Sequence, residues 1–280
     1  MATEILEIEN LDQYLLLKNG NYLYKIPFRE GYAVLKVYYG SRSMLRYISG
    51  SISNFFEGQT SFMPRARMVN EKKCLNIWRE AGFRVFDTFG DVIVKDLPEG
   101  GYMLFEYLSA LKFIDYFGEA SVALEDRLHT YRRFLKEWYR RHDMAIKRQE
   151  PRLVHENGDL KHVMMVDDQF LFFDFEMTYR SRRKVKEFVT REILAYLKSL
   201  GKIVGPELFP VFLKETIDHY PDTELLKNTH RIMFAHPNPF IRMARIVDRR
   251  FYPNAKKPFS KHNVARQLKK MLSGHTEHAG

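Results

Sequence analysis

Between Leu153 and Arg180 the chain reads LVHENGDLKHVMMVDDQFLFFDFEMTYR, setting His155, Asn157, Asp159, His162 and Asp174 among apolar neighbours. Polar groups held in apolar surroundings cost free energy unless they are paired, so the pattern marks a candidate site. Val163 to Val166 reads as a short strand, Asp167-Asp168 as a tight turn and Phe170 to Phe173 as a second strand. A hairpin of that length predicts His162, just before its first strand, near Asp174, just after its second. Both are metal or phosphate ligands by type. A hard divalent cation prefers oxygen, so for such a metal Asp174 is the stronger candidate and His162 suits a phosphate contact or a loop hydrogen bond better.

The elements that would position such a site are legible along the chain. Tyr14 to Lys18, Tyr22 to Phe28 and Tyr32 to Tyr39 read as strands, separated by turns at Asn19-Gly20-Asn21 and Arg29-Glu30-Gly31. In the third, Ala33, Leu35, Val37 and Tyr39 share one face and Tyr32, Val34, Lys36 and Tyr38 the other. Lys36 there is either an exposed edge residue or a site cation. From Val69 to Gly82 the spacing of Cys74, Leu75, Trp78 and Ala81 predicts a helix capped by Gly82. Glu71 falls on its buried face and needs a cation, for which Lys36 is the candidate. The alternative is a first-turn carboxylate favoured by the helix dipole.

Residues 41 to 66, rich in Ser, Gly and Arg, read as a long loop that covers a site, touches a membrane or is a plain insertion. Phe83 to Val94 reads as two strands broken at Gly90-Asp91, and Tyr102 to Leu108 as another. Residues 122 to 146 form a helix with a stripe of Leu124, Leu128, Tyr131, Leu135, Trp138 and Tyr139, and His142 near its end reads as a packed or capping histidine. After Asp174 the run Arg180, Arg182, Arg183, Lys184 and Lys186 reads as a solvated face or an anion-binding one. A helix capped by Gly201 follows, then two or three more with breaks at Pro237 and Pro239, and the end, SGHTEHAG, reads as disordered.

These motifs, in this order, resemble those of the protein-kinase-like superfamily. AVLKV around Lys36 is close to the pattern V-A-I-K, and His155, Asn157, His162 and Asp174-Phe175-Glu176 keep the spacing of the catalytic loop and the Asp-Phe-Gly segment. A His in the metal-binding Asn position and an acid in the final Gly position look like the bacterial lipopolysaccharide core kinases that phosphorylate Kdo or heptose. Asn157 stands where those enzymes have the catalytic Asp, and Asp159 lies two residues further on. The resemblance implies an α+β, two-lobed kinase-like fold, with an N-lobe of antiparallel sheet plus one helix (1–108) and a mostly helical C-lobe (109–272) before a disordered tail (273–280). It implies a phosphate-gripping Lys36 paired with Glu71, Gly20 in the turn over the phosphates, and Glu106 and Leu108 flanking an adenine at the inter-lobe hinge. His155, Asn157 and Asp159 become catalytic-loop residues, and Asp174 and His162 metal residues. The activity implied is phosphoryl transfer from ATP with Mg2+ to an anionic sugar or lipopolysaccharide acceptor, with peripheral contact at the inner membrane. Asn157 motivates the alternative of a pseudokinase that binds nucleotide or a partner without transfer.

Composition sets the outer bounds. At 280 residues, 45% hydrophobic and 14% aromatic, the chain can bury a substantial core and is not of the disordered class. No apolar run reaches the roughly 20 residues that cross a bilayer, and the acidic opening MATEILEIENLDQYLLL is unlike a signal peptide, so a cytoplasmic location is expected. The single cysteine, Cys74, excludes an internal disulfide and a cysteine zinc cluster. A net charge of +10 suits a phosphorylated sugar, an anionic membrane or nucleic acid; nucleic acid rests on charge alone and is not expected.

Overall fold

A computed structural model describes residues 4–18, 20–40, 42–98, 100–235 and 257–277. The protein is mixed α+β, with its sheet in the N-terminal part and a mostly helical C-terminal part. It divides into two compact units, Met1–Ala110 with Leu171–Arg180, and Leu111–Phe170 with Ser181–Gly280. The segment carrying Asp174 thus clusters with the first unit, whereas the sequence reading set it in the C-terminal lobe.

In the first unit β1 (Glu4–Leu6) pairs in parallel with β5 (Val92–Val94). The main sheet is antiparallel, in the order β2 (Leu15–Lys18), β3 (Tyr22–Phe28), β4 (Gly31–Val37) and β6 (Tyr102–Glu106). Period-two alternation decides its faces. Ala33, Leu35 and Val37 of β4 pack with Tyr24, Ile26, Phe28 and Leu104 into one apolar cluster, which leaves Lys36 on the opposite side. Two helices follow β4. The first, α1 (Met44–Phe56), replaces the loop expected over 41–66, and the second, α2 (Pro64–Glu80), starts at a proline suited to the first turn. Since α2 begins that early, Glu71 stands in its middle and not in a first turn. Gly82, at φ 77°, ends the helix as expected.

The two strands read over Phe83–Val94 reduce to β5. Upstream of it the backbone makes only isolated bridges, Arg84 with Leu171 of the returning segment and Thr88 with Phe105 of β6, so its pairing is shared between two partners and no local hairpin forms. That returning segment is stitched to α2 by Asn70, whose amide donates to the carbonyls of Phe175 (3.0 Å) and Glu176 (3.1 Å) and accepts from Thr178 Oγ1 (2.9 Å). Trp78, fully buried, packs on Phe83, Phe172 and Phe175.

The second unit starts with β7 (Leu111–Lys112) and α3 (Phe113–Gly118), then the long α4 (Leu124–Arg148). β8 (Val163–Val166) and β9 (Gln169–Phe172), whose last two residues already belong to the first unit, reproduce the expected hairpin, with Asp167 and Asp168 both at positive φ in its turn. α5 (Val185–His219), α6 (Thr223–Phe234) and α7 (Lys261–Glu277) complete the unit. Gly201 does not end α5. Its α-carbon lies against the Phe259 ring, and the break comes at Gly205 (φ 78°), followed by Pro206. α7 continues to Glu277, past residue 272 where the disordered tail was read; Pro237 and Pro239 lie outside the described residues. Leu128, Tyr131, Leu135 and Trp138 of α4 are buried as the stripe predicts, while Leu124 is exposed. Among the described residues no helix is long and apolar enough to cross a membrane.

Candidate phosphate and metal site

Lys36 is held mid-strand by pairing on both sides, opposite Leu23 of β3 and Met103 of β6, so its side chain has a fixed origin. Helical spacing places Arg67, Asn70, Glu71 and Cys74 along the buried face of α2. Lys36 Nζ meets Glu71 Oε2 at 2.6 Å, and Tyr38 donates its hydroxyl to the same oxygen at 2.5 Å. Tyr38 follows Lys36 by two residues and so shares its face of the strand.

The returning segment brings two further carboxylates to the same ammonium. Glu176 Oε1 lies 2.7 Å from Lys36 Nζ and Asp174 Oδ1 3.9 Å. Glu176 also receives two donors of the buried Arg67, Nε at 2.8 Å and Nη2, and the amide of Asn21 in the β2–β3 turn. Arg67 Nη2 further donates to Asn21 Oδ1 (2.7 Å) and Nη1 to the Gly20 carbonyl (3.2 Å). The expected Lys36–Glu71 pair is therefore present, and Gly20 (φ 78°) sits in a turn tied to it through Arg67.

Lys36 and Arg67 face three carboxylates, Glu71, Glu176 and Asp174, which gives the cluster an excess of one negative charge. The pKa directions follow. Burial alone would lower that of Lys36, but Glu176, Glu71 and Asp174 more than offset it and hold it above the ordinary lysine value. Burial raises the Glu71 pKa, Lys36 opposes the shift, and Glu176 and Asp174 add to it. Asp174 keeps about a quarter of its side-chain surface exposed, at 26%, against 10% for Glu176. Its φ of 73° is left-handed, a conformation that Asp tolerates better than most residues.

Glu106 is engaged structurally. Its carboxylate accepts from Arg84 Nη2 (3.1 Å) and from the Asp87 backbone N–H (2.8 Å). Leu108 is half-buried two residues beyond β6.

The His155–His162 loop belongs to the second unit. His155 is buried. Its backbone N–H donates to Glu192 Oε2 (2.7 Å), and its Nδ1 hydrogen-bonds the hydroxyl of Tyr196 (2.8 Å). Glu192 is itself fully buried, accepting from Trp138 Nε1 (3.1 Å) and from both terminal nitrogens of Arg141. Burial would raise the Glu192 pKa, but Arg141 and His142 hold it well below the carboxylate range. His142, the packed histidine of α4, bonds the Tyr220 hydroxyl through Nδ1 (2.8 Å). His162 Nδ1 donates to the Asn157 carbonyl (3.1 Å), closing the loop on itself, and its ring lies 5.7 Å from that of His155. Asp159 caps the turn Leu160–His162, with Oδ1 accepting from the Lys161 N–H (3.1 Å) and Ser199 Oγ (2.6 Å). Asn157 is exposed.

Four participants escaped the sequence reading: Arg67, Asn21, Arg141 and Glu192. Arg67 lay at the end of a supposed loop, and Arg141 on a helix whose many cations suggested a solvated face. Only Glu176, standing where a glycine was expected, signalled that a compensating cation had to exist.

Among the described residues no group of three or more His, Cys, Asp or Glu side chains is arranged to hold a metal ion by itself. Magnesium needs no such cage, since it binds through one or two carboxylates plus substrate phosphates. Asp174, partly exposed in a cluster with excess negative charge, fits that role; the imidazole of His162, tied to Asn157, does not.

No protein-family model matches the chain, and no curated protein matches it in sequence. Among solved structures it is similar to WaaP in complex with acyl carrier protein, with a TM-score of 0.45 and 13% identity over 84% of this chain and 89% of that one.

Proposed function

We propose that the protein is a phosphotransferase of kinase-like fold that uses ATP and Mg2+ and phosphorylates a hydroxyl of an anionic sugar, of the lipopolysaccharide-core type or a related glycolipid. One observation carries this reading: a buried strand lysine, Lys36, bonded at 2.6 Å to a helix glutamate, has Asp174 at 3.9 Å from the same nitrogen. Phosphoryl transfer asks a protein mainly to neutralise and position charge, and an oriented ammonium beside a partly exposed carboxylate is the minimum for that. Bound magnesium would neutralise the phosphate oxygens. Lys36, oriented by Glu71, would hold one of those oxygens, and Asp174 would hold the metal. The excess negative charge of the cluster favours phosphate arriving with its metal over phosphate alone.

In this reading Asn157 is the loop residue that meets the acceptor hydroxyl. An amide can orient that hydroxyl but cannot take its proton. Asp159 is a weaker candidate for base, because its Oδ1 is already engaged by Ser199 and the Lys161 N–H. A second reading, a pseudokinase that binds nucleotide or a partner without transfer, is favoured by Asn157 and by Glu176 occupying Lys36 at 2.7 Å. Transfer of labelled phosphate from ATP to lipopolysaccharide core, lost in Asp174→Ala, supports the first. ATP bound with no transfer to any acceptor tried supports the second.

A further inference from the structure

α1 is an amphipathic helix turned inside out. At about 100° per residue, Met44, Phe55, Ile48, Ile52, Leu45 and Phe56 fall within an arc of about 120°, and all six are exposed, Leu45 at 79% and Phe56 at 82%. The face turned to the protein carries small or polar residues instead, with Tyr47 the only buried one. Gly50 lies so close to the Phe62 ring that a β-carbon would collide with it, and Ser51 Oγ hydrogen-bonds Ser61 Oγ (3.2 Å) and the Phe62 N–H (3.0 Å). A water-facing helix normally shows the opposite arrangement, and exposed apolar patches of this kind mark contact surfaces.

Charge identifies the occupant. Between residues 42 and 66 the cations are Arg42, Arg46 and Arg65 against one acid, Glu57, and α1 itself contains Arg46 and no acid. Arg180 lies over the Phe55 ring at 4.6 Å and donates to the Phe55 carbonyl (3.1 Å), which puts a guanidinium at the tip of the apolar arc. A second copy of the chain on this face would set cations against cations. An anionic lipid surface instead offers acyl chains to the arc and phosphates to the arginines, the arrangement by which amphipathic helices lie in a bilayer interface.

We propose that α1 docks the protein on an anionic lipid bilayer, with Leu45, Ile48, Ile52, Phe55 and Phe56 inserted and Arg46 and Arg180 at the phosphates. The test is co-sedimentation of the full chain with vesicles of phosphatidylcholine alone or mixed with phosphatidylglycerol, without nucleotide, so that it is independent of phosphoryl transfer. The wild type should bind the mixed vesicles in preference to the neutral ones and bind less at high salt. Leu45→Asp with Ile52→Asp should weaken binding at least about tenfold. Arg46→Glu, which buries nothing new, should retain the circular dichroism spectrum and reduce only the anionic preference; it gives the reading if the double variant unfolds. Three outcomes would overturn the proposal: no preference for anionic vesicles, binding indifferent to these variants, or a wild-type dimer that the double variant makes monomeric.

Discussion

Replacing Arg67 by Met removes one of two cations from the buried cluster while keeping an unbranched apolar stem in place of the arginine methylenes. The guanidinium is 2% exposed, and the change deletes its donors to Glu176, Asn21 and the Gly20 carbonyl. Lys36 then stands alone between Glu71 and Glu176, at 2.6 and 2.7 Å. Breaking a buried pair costs about 3–5 kcal/mol because a desolvated charge is stranded; with Lys36 still in place the lower end applies, about 3 kcal/mol. That is a large share of the roughly 5–15 kcal/mol that stabilises a domain. Adding Glu176→Gln removes the stranded charge, so the double variant should recover about 2 kcal/mol, a coupling within the range that double-mutant cycles measure. Urea-dependent hydrogen exchange read on peptides of α2 and the β2–β3 turn reports this unit separately from the other. A cost below about 1 kcal/mol for Arg67→Met, or no recovery on adding Glu176→Gln, would refute the charge-balance argument.

Three further outcomes are expected. Glu176→Gln alone frees Lys36 from one of its two close carboxylates, so ATP should bind several-fold more tightly by calorimetry, and unchanged affinity would detach Lys36 from phosphate binding. Asn157→Asp supplies a base where the acceptor hydroxyl is expected and should raise the rate of transfer from labelled ATP by roughly 10²–10⁴-fold if chemistry limits it; a fall in rate would show that the amide is required. Glu192 has a folded pKa below its unfolded value, so its contribution is complete above about pH 4.5 and is lost as pH falls below that. Glu192→Gln should therefore lower stability at pH 7, by stranding Arg141, and flatten the decline that sets in below about pH 4.5 in acid melts of the second unit.

The parts read correctly from the sequence are those governed by a period. Alternation along β4 put Lys36 on the face away from Ala33, Leu35 and Val37, and helical spacing put Glu71 on the buried side of α2, so Lys36 was legible as the candidate partner of Glu71 before any coordinates. α1 was not legible as a helix because its serines and glycine imitate a loop and its apolar residues face water, so the usual association of apolar with inward misleads. Arg67 escaped for a related reason: an isolated arginine reads as solvated, and only the carboxylate 109 positions away gives it a reason to be buried. Phe83 to Phe89 has strand composition, yet its pairing is divided: Arg84 bridges Leu171, far along the chain, while Thr88 bridges Phe105 of β6, and no local rule anticipates that split.

That same distance has a bearing on how the molecule is made. Arg67 emerges from the ribosome 109 residues before Glu176, which at 5–20 residues per second is roughly 5–20 s of synthesis. For that interval the nascent sheet and α2 hold a guanidinium with its main counter-charge still untranslated. The first unit therefore cannot close until the whole of the second unit's first segment has been synthesised, and a truncated fragment ending near residue 110 would carry the cation without its anion.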